Sequence, residues 1–78
     1  METGQIQELL QVAFPECEIT VEGGDGKYMV HAVGSVFEGL NALKRQQAVY
    51  GVLNQHISSG AIHAVSMRLL TPGEQVAS

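Results

Sequence analysis

The side chains that could do chemistry in this chain are few: one cysteine, Cys17, three histidines, His31, His56 and His63, and four basic residues, Lys27, Lys44, Arg45 and Arg68. Nucleophilic catalysis needs Ser or Cys beside a base and an orienting carboxylate, and no Gly-x-Ser-x-Gly elbow or other triad signature is present. The expectation is a non-enzymatic protein. His63 is the most informative residue. It follows a Gly-containing turn at the start of a strand, where a side chain projects at a sheet end, and neutral imidazole is a common ligand for iron or zinc. Spacing alone favours a packed or hydrogen-bonded histidine over a ligand, because metal sites need several convergent donors.

Two other groupings carry a chemical reading. Gly23-Gly24-Asp25-Gly26 has the glycines of a phosphate cradle but lacks the following Lys-Ser/Thr and opens a strand, so a hairpin turn is the better account. Lys44-Arg45, followed by Gln46 and Gln47, has the donors to contact phosphates or base edges, though two adjacent basic residues more often form a solvated helix face. With a formal net charge of -4, the 78-residue chain as a whole would be repelled by a polyphosphate. The absence of Trp and the scarcity of other aromatics argue against a base-stacking platform.

Those residues must be positioned by elements that can be read from periodicity. Ile6, Leu9, Leu10, Ala13 and Phe14 form a helical stripe over Gln5 to Phe14, with Thr3 as N-cap and Pro15 as terminator. Cys17 to Glu22 alternates as a half-buried strand, and Tyr28 to Val33 completes a hairpin. In that second run both Tyr28/Val30/Ala32 and Met29/His31/Val33 look buriable, so periodicity does not assign His31 to a face. Asn41 caps a long helix to about His56, with Leu43, Gln47, Tyr50, Leu53 and Ile57 near one face. Gly51 within it implies close packing against the sheet. Ser58-Ser59-Gly60 stops the helix, Ile62 to Leu70 forms a third strand, and Thr71-Pro72-Gly73-Glu74 is a capping box opening one last turn.

The order is α-β-β-α-β-α over residues 1–78 as a single domain: an α+β fold with a three-stranded mixed sheet and the helices on one face. Folding at this size hides only ~60% of the unfolded chain's surface, which leaves little room for a large enclosed active site. One cysteine fits a reducing compartment, and neither a basic n-region nor a membrane-length apolar run is present. A cytoplasmic location is expected.

Two segments, Val33-Gly34-Ser35-Val36-Phe37-Glu38-Gly39 leading into Lys44-Arg45-Gln46-Gln47-Ala48-Val49-Tyr50, and Ile62-His63-Ala64-Val65-Ser66-Met67-Arg68 closing with Thr71-Pro72, together resemble the BolA family. Within it they look like the short bacterial branch tied to acid stress. The resemblance covers essentially the whole chain. It implies a fold similar to the class II KH domain and a partner, a monothiol glutaredoxin with a Cys-Gly-Phe-Ser site. A 2Fe-2S cluster would be shared between the two proteins, with glutathione on the glutaredoxin side, and none held by the free chain, a monomer or weak homodimer.

On this resemblance His63 occupies the position of the family's C-terminal histidine ligand, and Gly23, Gly24, Asp25, Gly26, Lys27 and Tyr28 form the partner-binding loop. The family's second ligand, His or Cys in that loop, corresponds here to Lys27, and a protonated lysine has no free lone pair. Cys17 lies too early and His31 too late to replace it. Cluster sharing through His63 alone and a cluster-free heterodimer both stay open. The residues after Pro72 provide less terminal helix than the resemblance implies. The alternative is a DNA-binding stress regulator, with Lys44 and Arg45 as contacts. A KH-type Gly-x-x-Gly loop does not support it, since Gly23 to Gly26 lies between two strands.

Overall fold

A computed structural model describes residues 1–77, with the side chain of Ala77 left aside. It comprises α1 (Thr3–Ala13), β1 (Glu18–Gly24), β2 (Lys27–Val33), a 3-10 turn (Ser35–Phe37), α2 (Ala42–Ser58), β3 (Ala64–Leu70) and α3 (Pro72–Ala77). The expected element order therefore holds. The sheet order is β1-β2-β3, with β1 and β2 antiparallel and β2 and β3 parallel. A parallel neighbour requires a long crossover, and α2 supplies it.

Both long helices cover one face of the sheet. Ile6 and Leu10 from α1 and Val49 and Leu53 from α2 meet Val30 of the central strand and Phe37 of the 3-10 turn, all essentially solvent-free. Burial of each such side chain contributes ~1.5–3 kcal/mol. Phe14 packs its ring on Phe37 with centroids 6.2 Å apart and planes at 45°, a tilted geometry that suits aromatic quadrupoles.

Several local expectations are corrected. The N-cap of α1 is Glu2, whose amide donates to the Gln5 side-chain oxygen at 2.7 Å, while Thr3 is already helical. Cys17 precedes β1 instead of opening it, and the strand runs on through Gly23 and Gly24, so the hairpin loop shrinks to Asp25-Gly26. Both loop residues have positive φ, 55° and 81°, which makes it a type I′ turn whose twist matches that of the strands. On α2 the buried stripe is Val49 and Leu53, while Leu43 is 62% exposed and Gln47 lies in solvent. The C-terminal half of the expected stripe holds, with Leu53 buried and Ile57 packed against the core; in the first two turns the inward positions are Arg45 and Val49, not Leu43 and Gln47. Gly51 faces open space, so no close packing explains it.

The ambiguous second strand also resolves. Tyr28, Val30 and Ala32 face the helices, and Tyr28 sends its hydroxyl to donate to the Met1 carbonyl. Met29, His31 and Val33 lie on the opposite face, away from α1 and α2, where Thr20, His31 and Arg68 stand in one cross-strand row bordered by Gln75 of α3. Thr71 and Glu74 form the expected capping box: the Thr71 amide donates to Glu74 Oε1 at 2.8 Å and the Glu74 amide to Thr71 Oγ1 at 3.2 Å.

Candidate functional site

The end of α2 determines where His63 sits. Gly60, at φ 84°, reverses the chain, the Ile62 amide donates to the His56 carbonyl at 3.0 Å, and the Ile62 side chain is buried. A residue next to a buried anchor in extended chain points the other way, and His63 is exposed. Its backbone is then clamped to the hairpin: the amides of His63 and Ala64 both donate to the Gly26 carbonyl, at 2.7 and 3.0 Å.

The imidazole lies directly over the α-carbon of Gly26. A β-carbon there would stand 2.9 Å from His63 Nδ1 and 3.0 Å from Cγ. Gly26 is needed twice, for its left-handed backbone and for the space the ring occupies. Gly23 has a similar constraint, since at φ 124° a β-carbon would meet the Lys27 carbonyl at 2.2 Å. The structure thus brings together the two sequence-predicted features, His63 and the β1–β2 turn, at one end of the sheet. Asp25 and Lys27 are exposed beside it, and Lys27 pairs in register with Ala64.

One residue assigned to that surface is elsewhere: Tyr28 is 5% exposed and belongs to the core, while Gly26 is at the site but buried beneath the His63 ring. Cys17 is also buried. Desolvation, with Glu16 adding to it, pushes its thiol above the ordinary value, which disfavours the thiolate that a metal would need. Its sulfur packs where a β-carbon on Gly34 would lie 2.3 Å away.

The proposed nucleic-acid contacts separate as well. Lys44 is exposed on the first turn of α2, but Arg45 is fully engaged. Its Nε donates to the Leu40 carbonyl at 2.9 Å and its Nη1 to the Leu69 carbonyl at 3.0 Å, and the guanidinium meets the Glu74 carboxylate at 2.6 and 3.3 Å. The Arg45 side chain is 13% exposed. The Glu74 carboxyl is lowered to about 2, chiefly by the Arg45 hydrogen bonds and then by the Thr71 amide. Arg45 fastens α3 and β3 to α2, so its assignment as a phosphate or base contact is withdrawn. Its four-residue spacing from Val49 was the sequence signal for an inward position.

Chemically, the site is a single accessible imidazole held by backbone on a rigid turn. Among the described residues no group of three or more His, Cys, Asp or Glu side chains is placed to hold a metal ion. The domain that presents it is an α+β fold of the order α-β-β-α-β-α, with a three-stranded mixed sheet. The model of the BolA-like protein family matches residues 10–74, and the chain belongs to that family.

It is 45% identical to an uncharacterised protein from the rpoN-murA intergenic region of Acinetobacter guillouiae, over 95% of this chain and 89% of that one. It is 42% identical to the acid stress protein IbaG of Escherichia coli K12, over 95% and 88%. Among solved structures, a BolA protein homologue from Coxiella burnetii superposes with a TM-score of 0.84 at 30% identity, covering 97% of both chains.

Proposed function

We propose that this chain is a non-enzymatic adaptor that pairs with a monothiol glutaredoxin and shares a 2Fe-2S cluster with it, in cluster trafficking or in iron-linked and stress regulation in the cytoplasm. The observation that carries the reading is the exposed His63 imidazole, seated on Gly26 with its backbone clamped to the turn. Preorganisation of that kind lowers the ordering cost of adding a ligand to a shared site. The donor set fits a shared cargo: His63 supplies one nitrogen, and cysteine and glutathione sulfurs would come from the partner side. Asp25 and Lys27 flank the ring as the partner-facing polar residues.

The stress role is supported by the likeness to the acid stress protein IbaG. No helix among the described residues is long and apolar enough to cross a membrane. The competing reading as a DNA-binding regulator retains Lys44 but loses Arg45 to the Glu74 pair. The test mixes the protein with a monothiol glutaredoxin carrying its 2Fe-2S cluster and records visible circular dichroism and size exclusion. The wild type is expected to form a heterodimer with an altered cluster spectrum, and His63→Ala to leave the glutaredoxin spectrum unchanged. If neither protein binds, while a DNA duplex is bound in a salt-sensitive way that depends on Lys44, the regulator reading replaces this one.

A further inference from the structure

The sheet has two edges, and they differ. On β1, Glu18 and Glu22 project to the face away from α1 and α2, and Gly23 at φ 124° distorts the strand end. Charged side chains and local distortion are the usual means of keeping an edge from pairing. On β3 the Gly26 carbonyl accepts from the Ala64 amide and the Leu70 carbonyl accepts from the Gly34 amide. In a parallel ladder alternate residues face the neighbour, so Ala64, Ser66, Arg68 and Leu70 turn their amides and carbonyls to β2. Val65, Met67 and Leu69 turn theirs outward. The Leu69 carbonyl confirms this direction, since it accepts from Arg45, and no fourth strand is present among the described residues.

Beside that edge, between β3 and the first turn of α2, lies a cleft of about 410 Å³ with Leu40, Met67 and Leu69 as its apolar lining and Arg45 and Glu74 at its rim. Charge is divided along the same axis. Residues 1–26, which include α1 and β1, carry six acidic and no basic side chains, whereas the rest of the chain carries four basic and two acidic ones. Of those two, Glu74 is paired with Arg45. Arg68, on β3 itself, is exposed on the face away from α1 and α2.

We propose that the outer edge of β3 is a docking site for an extended, acidic segment of a partner protein, added as a fourth strand with its alternate apolar side chains in the Leu40/Met67/Leu69 cleft. The outward amides and carbonyls of Val65 and Met67, with the Leu69 amide beyond them, fit a peptide backbone, which a phosphodiester chain does not reproduce; the Leu69 carbonyl is already taken by Arg45. Side chains of an added strand point alternately to the two faces. Acidic positions would then face Arg68 and apolar positions would enter the cleft. This goes beyond the His63 reading and does not rest on it.

The test uses the intact protein, isotopically labelled, with a blocked Glu-Ile-Glu-Val-Glu-Ile hexapeptide as probe and Lys-Ile-Lys-Val-Lys-Ile as control. Binding of the acidic peptide is expected to protect the Val65, Met67 and Leu69 amides from hydrogen exchange. Arg68→Glu should weaken it about tenfold. Met67→Pro removes an outward amide without touching the β2 ladder, which proline tolerates at an edge, and should abolish binding. Should that variant fail to fold, Arg68→Glu decides alone. His63→Ala should bind the peptide like wild type, which separates this site from the cluster site. The proposal is overturned if those amides stay unprotected at saturating acidic peptide, or if the lysine peptide binds equally well. It also fails if a DNA duplex gives the same protection, or if protection rises with protein concentration alone, which would give the edge to a second copy.

Discussion

The two ends of β3 place a cationic or ligating side chain by opposite means. At its start, His63 is positioned through its backbone, and its ring nitrogens make no hydrogen bond among the described residues; at its end, Arg45 is positioned through its guanidinium, and all three nitrogens are engaged. The ring at the first end is available for chemistry because no contact among the described residues uses its polar atoms. The guanidinium at the second is unavailable for the same reason inverted. Exposure and residue type alone do not separate these cases, but the destination of each polar atom does.

The largest effect is expected at the turn. Gly26→Ala forces an alanine into φ 81° and drives a β-carbon into the imidazole, and a loss of about 2–3 kcal/mol in urea unfolding is expected. The same substitution in a His63→Ala background should cost measurably less, because the steric part disappears. Equal costs in both backgrounds would mean that the ring does not rest on Gly26. Next in size is Arg45→Met, which strips hydrogen bonds from two carbonyls and Glu74; about 1–2 kcal/mol is expected. Arg45→Lys should recover little of it, since an ammonium cannot reproduce the fork.

A smaller effect follows from Glu74. Its carboxyl is depressed from 4.5 to about 2, so the unfolded chain takes up the proton first. The contribution is fully present above pH 4.5 and is lost as the pH falls toward 2. Hydrogen exchange in α3 should rise over that window before the core strands respond, and Glu74→Gln should remove the pH dependence. Least of all, His63→Ala should change stability by under about 0.5 kcal/mol, as expected for an exposed side chain. A melting curve that falls with this variant would make His63 a structural residue and weaken the adaptor reading.

The fold was largely legible because its signals are local: the Asp-Gly turn, the Asn41 cap, whose side chain accepts from the Lys44 amide at 2.9 Å, and the Thr71–Glu74 box. What misled was competition between similar patterns. Leu43 drew the first two turns of the α2 stripe off the inward row, which Leu53 and Ile57 do follow, since an apolar residue outweighs an arginine by type, although the long stem of Arg45 suits an inward position. Four residues rich in glycine concealed a two-residue loop. His31 could not be assigned from alternation because both faces of β2 carry apolar residues, and only the helices over Tyr28, Val30 and Ala32 decide it. For the site, the proximity of His63 to the turn came from family likeness, and its stacking on Gly26 left no trace in periodicity.

The parallel pairing has a kinetic side. Residues joined across β1 and β2 lie between 3 and 15 positions apart, whereas every pair joining β2 to β3 is 37 apart. Short loops close at far lower entropic cost, and hairpins form in about 1–10 μs. Loop entropy therefore predicts that the hairpin with its type I′ turn forms before the crossover and that β3 docks late. His63 reaches Gly26 only when β3 docks. A chain interrupted or stalled before that step carries the histidine but not the seat that orients it, so presentation of the imidazole reports completed folding.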